Sequence, residues 1–325
     1  MLIRKTIWNG FLKGLKTGGF LLRIMIPVYL VVVFLRYTPV IPFLQEYLAP
    51  VMRIFSLPGD AAIPIVAGIF SDEYGVVAAM QGFDFSAPTI TIIAMIILCF
   101  HTIPLEAALG QTMGFHPAKY SLYRLALAVT TGLFIGWLVS LLYGGADSMS
   151  FPEMNSLGII GGADGPVAIS LNSGFTGGRW SAMLLEMLWG VVFNVIWSLV
   201  RVIIPLMILI EFILVYKVVD RIAPKFRGLC KVLGISNDAL LPLLVGLLMG
   251  VTYGAGTLIE INKRTPLSKR DFTLIGIFLF ACHGIIETTI LFAVVGGSVF
   301  FICVVRLAIA VLVTAVAARL PRFAK

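Results

Sequence analysis

Apolar residues occur along this chain in long blocks, and polar residues are largely confined to the joins between them. Gly19 to Leu35, Pro88 to Phe100, Leu122 to Leu142, Leu199 to Tyr216, Phe272 to Ala293 and Val299 to Ala318 approach or exceed the roughly 20 residues that carry a helix across a bilayer. The pattern predicts a bundle of membrane-spanning helices. Residues 3 to 17 differ: Ile3, Ile7, Trp8, Phe11, Leu12 and Leu15 alternate at helical spacing with Arg4, Lys5, Lys13 and Lys16. That spacing predicts an amphipathic helix lying in the membrane interface. A more apolar counterpart, Ala182 to Ile196, carries Glu186 and Asn194 and is expected to be buried.

The blocks repeat. RIMIP at Arg23 to Pro27 matches RVIIP at Arg201 to Pro205, and the same shift in numbering places GDAAIPIVAG (Gly59 to Gly68) on NDALLPLLVG (Asn237 to Gly246). After a short insertion the match resumes at a slightly longer shift, with His101 on His283 and YRLALAV from Tyr123 on VRLAIAV from Val305. Residues 1–143 and 181–325 are therefore read as two copies, joined by a connector at 144–180 that contains LGIIGGADGPVAIS.

Basic residues assign the two sides of the membrane. Segments 1–18, 111–124, 217–238, 260–271 and 319–325 hold 18 of the 24 Lys and Arg, which makes them cytoplasmic, together with both termini. Segments 72–87 and 144–180 hold acids and only one base, Arg179, and belong outside. Ala239 to Ile259 would then begin and end on one side, so it is expected to be re-entrant, breaking at MGVTYGAG. Its counterpart, Ala61 to Met80, breaks at FSDEYG. Each copy has about three spans plus one re-entrant broken helix, and an odd number of crossings inverts the second copy. The expected fold class is an all-α polytopic membrane protein of two inverted repeats with interfacial amphipathic helices. Inverted repeats with broken segments at matching positions are a pattern of secondary transporters.

Composition fits this picture. Hydrophobic residues make up 59% of the 325 and charged residues 12%, with a mean hydropathy of +1.03. The net charge of +8 sits between spans, so orientation in the inner cell membrane explains it and a nucleic-acid partner is not expected. The first span lacks a small-residue cleavage site and is read as uncleaved. Cys99, Cys230, Cys282 and Cys303 have no C-x-x-C spacing, so neither a disulfide framework nor a zinc ribbon is indicated.

Ionisable side chains inside apolar blocks are the candidate chemistry, because burying them in lipid is costly. His283 and Glu287 are four apart, a spacing that puts them on one helical face, and His101 and Glu106 are five apart across Pro104. Three readings are open: a structural tie between helices, a substrate- or proton-binding pair, and a divalent metal site with Cys99 and Cys282 nearby. Arg23, Arg201 and Arg124 read as interfacial anchors, Glu211 as the partner of a nearby base, and Gly59-Asp60 and Asn237-Asp238 as helix N-caps. In GGADGP, Gly162 and Gly165 free the backbone to approach a ligand beside Asp164. Asp164 then either couples transport to Na+ or a proton, or caps a helix. Nothing forms a catalytic constellation, so a non-enzymatic protein is expected.

The paired segments, with the span ending in proline, the LPGDAAIPIVAG element at Leu57 to Gly68 and the following His/Glu helix, resemble the Gate domain. That domain occurs in concentrative nucleoside transporters, in ferrous iron transporter B and in nucleoside-recognition and spore-maturation membrane proteins. GGADGP is similar to a GADGP segment of sodium-pumping decarboxylase beta subunits, with Val167 where a Thr is expected. These resemblances imply secondary transport of a nucleoside-like solute or small organic anion, coupled to Na+ or H+. No G-x-x-x-x-G-K-S/T loop accompanies them, so nucleotide-driven transport is not expected. A divalent-cation permease and a non-transporting assembly partner are the alternatives, with a homo-oligomer or a second membrane subunit as possible partners besides the bilayer and the solute.

Overall fold

The computed structural model describes residues 2–103, 106–107, 111, 116–143, 179–250 and 267–320, and among them every regular element is helical. Among the described residues, five helices are long and apolar enough to span a membrane, or six if one bent pair counts as a span. The connector motif with Gly162, Asp164 and Gly165 lies outside the described residues.

Helix α1, Leu2–Arg36, runs unbroken through Pro27. At about 1.5 Å per residue, its 35 residues far exceed the ~30 Å of bilayer hydrocarbon. The separate interfacial helix expected at 3–17 is thus the first part of this rod. Gly10, Gly14 and Gly18 explain why: spaced four apart, they form a groove on one face. A Cβ added at Gly10 or Gly14 would come within 2.6 or 3.1 Å of the Cα atoms of Ile208 and Ile204.

Those isoleucines belong to a second rod, made of α7 (Arg179–Gly190), a π-helical segment (Val191–Trp197) and α8 (Ser198–Val215). Contacts fix its direction. Gly10 faces Ile208, Gly14 faces Ile204, Gly190 faces Tyr29, and Arg36 pairs with Glu186 at 2.5 Å. One number rises as the other falls, so the rods are antiparallel. The sequence-related stretches around Pro27 and Pro205 therefore run in opposite directions. Lys13 Nζ lies 2.5 Å from Glu211, the base that this acid needed. Residues 182–196 are not buried as expected: Leu184, Leu188, Trp189 and Phe193 point outward on this lipid-length rod. Arg23 and Arg201 are exposed in helix interiors rather than near ends, and Arg201 stacks 4.4 Å over Trp197.

After α2 (Val40–Ile54) and a short 3-10 turn at Gly59–Ala61, α3 (Ala62–Phe70) sets off at 89° to the end of α2. It stops within FSDEYG, as expected. Asp72 accepts from the Gly75 amide at 2.9 Å and starts α4 (Glu73–Met80), which folds back so that a Cβ on Gly68 would meet Val76 at 2.7 Å. Next come α5 (Ala87–Ile97) and α6 (Pro117–Tyr143). The block expected to span from Pro88 to Phe100 is thus a shorter helix.

The second half places α9 (Val218–Ile222) and α10 (Arg227–Leu233) before α11 (Leu240–Met249), which ends at Gly250 with φ +99°. Then follow α12 (Lys269–Ala281), α13 (Ile285–Val294), a π-helical turn (Phe300–Val305) and α14 (Arg306–Arg319). In the register of the sequence match, α3 and α11 begin at equivalent positions, Ala62 and Leu240, and so do α5 and α12, at Ala87 and Lys269. Ser86 and Ser268, also equivalent, cap α5 and α12. Asp60 and Asp238 do not act as the expected caps: no side-chain cap bond enters the Gly59–Ala61 turn or α11. Backbone turns do this work instead, with Ala239 N donating to Ser236 O and Leu240 N to Asn237 O, both at 3.2 Å.

Segments assigned to one side by charge meet in space. Ser236 N donates to Asp271 Oδ1 at 2.8 Å, and Arg270 Nη2 to Ala318 O at 3.3 Å. These contacts join two of the five basic stretches to each other and to the threshold of a third, at one end of the molecule.

Candidate functional site

Helix α5 gives way after Ile97, and the chain turns through His101 and Thr102 before helical structure resumes at Ile103. Helix α12 does the same through Cys282, His283 and Gly284 before α13. Thr102 (φ +47°) and Gly284 (φ +57°), equivalent positions of the two copies, both adopt the left-handed conformation. Their amides find equivalent acceptors: Thr102 N donates to Gly68 O at 3.0 Å, and Gly284 N to Gly246 O at 3.2 Å. Each break thus docks on a broken helix of its own copy, α3 or α11.

Two breaks at membrane depth free carbonyls that need donors. Arg124 and Arg306, 0% and 1% exposed, supply them. Arg124 Nε donates to Cys99 O (2.8 Å), and its Nη1 to His101 O (3.1 Å) and to Glu106 Oε2. Arg306 Nε donates to Ala281 O (3.0 Å), Nη2 to His283 O (3.3 Å) and Nη1 to Thr288 Oγ1 (2.9 Å). In the register that sets His101 on His283, Cys99 is the counterpart of Ala281 and Glu106 the counterpart of Thr288, so the two sets match partner for partner. Arg306 Nη2 also reaches Leu98 O of the first copy at 3.4 Å. Arg124 is therefore no interfacial anchor; a guanidinium with five donors is what an unwound segment in lipid requires.

The imidazoles meet between these staples. His101 Nδ1 faces Ile97 O at 2.8 Å and His283 Nδ1 faces Leu279 O at 2.7 Å, so both Nδ1 atoms carry hydrogen, a carbonyl offering only lone pairs. Both Nε2 atoms point inward. Glu106 Oε1 lies 3.3 Å from His101 Nε2 and 3.6 Å from His283 Nε2, and Glu73 Oε2 lies 3.3 Å from His101 Nε2. The rings are 5.5 Å apart. Glu106 Oε2 is occupied by Arg124 and by the Tyr120 hydroxyl at 2.9 Å.

Ligand atoms of His101, Glu106 and His283 all fall within 4.8 Å of one another, and all three residues are buried. Glu287 does not join them; it accepts from the Tyr74 hydroxyl. The expected i, i+4 pairing of His283 with Glu287 presupposes an unbroken helix, and the Gly284 turn removes it. The structural counterpart of Glu106 is Thr288, not Glu287. Neither cysteine contributes to the cluster: Cys99 Sγ is turned to Thr131 Oγ1, 4.0 Å away. Glu73, Tyr74, Tyr120 and both arginines were not among the expected site residues. The register of Arg124 with Arg306 inside apolar blocks, and Glu73 within FSDEYG, were the available signals.

With neutral imidazoles, both Nε2 lone pairs face carboxylate oxygens, an arrangement that repels unless a positive charge or a donor lies between them. The donor set, two imidazole nitrogens and a carboxylate oxygen, also fits a transition metal such as Zn2+. A cavity of about 1160 Å³ opens beside the cluster, with His101, His283, Glu73, Glu106 and Glu287 at its polar end.

Antiparallel rods, helices broken at equivalent sequence positions and buried ionisable groups at the breaks define a multi-pass α-helical membrane protein of transporter-like build. The chain belongs to the Gate family, described as nucleoside recognition, whose profile matches residues 20–119 and again 196–317. It is 29% identical over 312 residues, 96% of this chain and 94% of the relative, to the uncharacterized membrane protein YvoD of Bacillus subtilis (strain 168). No solved structure gives a significant match.

Proposed function

We propose that this protein is a secondary transporter of the inner cell membrane, in which two inverted Gate repeats move a small solute past a central cation site. The observation that carries the reading is the cluster of His101, Glu106 and His283, whose inward-facing atoms are all acceptors. Such a cluster is stable with a proton or metal ion bound and repulsive without one. Solute and cation binding are thereby coupled, and a gradient of the cation can drive the solute. The antiparallel rods and the register of Arg124 with Arg306 support inversion, which lets one architecture open to either side. Asp164 in the connector is a second candidate ligand for a coupling ion such as Na+.

A divalent-metal permease is the second reading, favoured by the imidazole and carboxylate donors. Proteoliposomes holding a pH dye separate the two. Secondary transport predicts that a transported solute acidifies or alkalinises the lumen, or requires Na+, and that Glu106→Gln abolishes the response. A permease predicts that Zn2+ or Mn2+ alone enters, with the same dependence on Glu106. Neither response in a folded, reconstituted protein would refute both and leave assembly with another protein as the role.

A further inference from the structure

The cavity beside the cation cluster has two chemically different ends. Its walls are hydrocarbon: Phe20, Val31, Val66 and Phe70 line it and are 60%, 56%, 48% and 75% exposed. These side chains belong to α1 and α3, helices of an apolar bundle, so their exposed faces meet lipid. The apolar wall therefore reaches the surface of the molecule along α1 and α3. Its volume of about 1160 Å³ exceeds the roughly 300–1,000 Å³ of pockets that enclose drug-sized ligands.

The inner end offers acceptors. Both Nδ1 atoms are taken by carbonyls, both Nε2 atoms aim at carboxylates, and Glu106 keeps Oε1 for the interior. Asp72, Glu73 and Glu287 add three further carboxylates to the lining. The two guanidiniums, which would welcome an anion, stand behind the site donating to backbone carbonyls and, respectively, to Glu106 Oε2 and Thr288 Oγ1, and neither lines the cavity. The hydroxyls of Tyr74 and Tyr120 are spent on Glu287 and Glu106. Four carboxylates, Asp72, Glu73, Glu106 and Glu287, against two guanidiniums leave the polar end negative when the imidazoles are neutral.

From this juxtaposition we infer that the substrate is an amphiphilic amine: a protonated amino group seated between Glu106, Glu73 and the imidazoles, with an apolar body along α1 and α3. Ammonium N–H groups meet the acceptors and the charge meets the deficit. A nucleoside could donate its ribose hydroxyls to the same acceptors, but it brings no positive charge and its base edges would lie against Val, Ile and Phe without partners. An organic anion would face the carboxylates. The inference rests on the transport reading of the same site and narrows its substrate.

Binding to the purified full chain in detergent tests it, read by thermal shift and by equilibrium dialysis. 4-Phenylbutylamine carries both elements; butylamine has the head alone, 4-phenylbutyrate the body with the opposite charge, and uridine represents nucleosides. The expected result is a saturable shift with 4-phenylbutylamine, at least tenfold weaker binding of butylamine, and no shift with 4-phenylbutyrate or uridine. Glu106→Gln should abolish the amine shift. Because Glu106 also partners buried Arg124, Val66→Trp provides a second variant that fills the apolar wall and leaves the cluster intact. It should weaken 4-phenylbutylamine tenfold or more and leave butylamine unchanged. If uridine or 4-phenylbutyrate binds in a Glu106-dependent way and the amine does not, the substrate class is overturned and the transport site stands. Equal binding of all probes by wild type and Glu106→Gln overturns both.

Discussion

At the residue scale, equivalent positions in the two copies make a controlled comparison. Arg124 meets a carboxylate at Glu106 where Arg306 meets a hydroxyl at Thr288. Glu106→Leu leaves a buried guanidinium without its counter-ion, a loss expected to cost about 3–5 kcal/mol. Thr288→Val removes two hydrogen bonds, one from the charged donor Arg306 and one to Gly284 O, and should cost about 1.5–3 kcal/mol, set mainly by the charged one. Thermal or denaturant unfolding in detergent ranks the two; an equal or reversed ranking would show that Arg124 does not rely on Glu106. Gly284→Ala has room for the methyl, the nearest heavy atom being 3.6 Å away, but forces φ +57° on a residue with a Cβ, for about 1 kcal/mol of destabilisation. Histidines in apolar blocks stood out in the sequence because so few side chains there can ionise. Their partners did not, since Glu106 and Glu287 were paired by helical spacing and the helices break between each histidine and its acid. Arg124 looked like an anchor because it stands at the start of an apolar block, while Cys99, His101 and Glu106, whose acceptors it serves, lie 18 to 25 residues away.

Elements were easier to read than contacts. Long apolar blocks and glycine-rich interruptions gave the rods, the hairpin of α3 with α4 and the end of α11, because backbone groups in lipid must be satisfied within the segment. The start of the chain shows the limit of periodicity: lysines on one face indicated an interfacial helix, yet the same pattern suits a rod whose other face is a glycine groove. Gly10→Leu tests that packing. Its side chain cannot fit where a Cβ alone would come within 2.6 Å of Ile208, so α1 and α8 should separate at that end. A cysteine pair at Lys13 and Glu211 should then lose the efficient disulfide cross-linking expected with Gly10 intact. Unchanged cross-linking would place α1 elsewhere.

On the scale of the whole molecule, the register of the sequence match lines up helix starts, serine caps, left-handed turns and the contacts of Arg124 with those of Arg306, and the Gate profile matches the chain twice. Inversion was an inference from charge, and the antiparallel course of α1 and α8 is the structural feature that supports it. Cysteines replacing Lys225 and Lys269 should react with a membrane-impermeant maleimide from the same side, the cytoplasmic one; labelling from opposite sides would refute the topology. What unites the molecule is a pair of broken helices presenting two bare imidazole nitrogens to carboxylates. The chain has three histidines, so with His116→Gln only His101 and His283 remain for nitrogen NMR of [15N]histidine-labelled protein. The account predicts that both rings keep hydrogen on Nδ1 throughout and that both Nε2 resonances move together when acid or Zn2+ is added. Hydrogen fixed on Nε2, with no response to either cation, would contradict it.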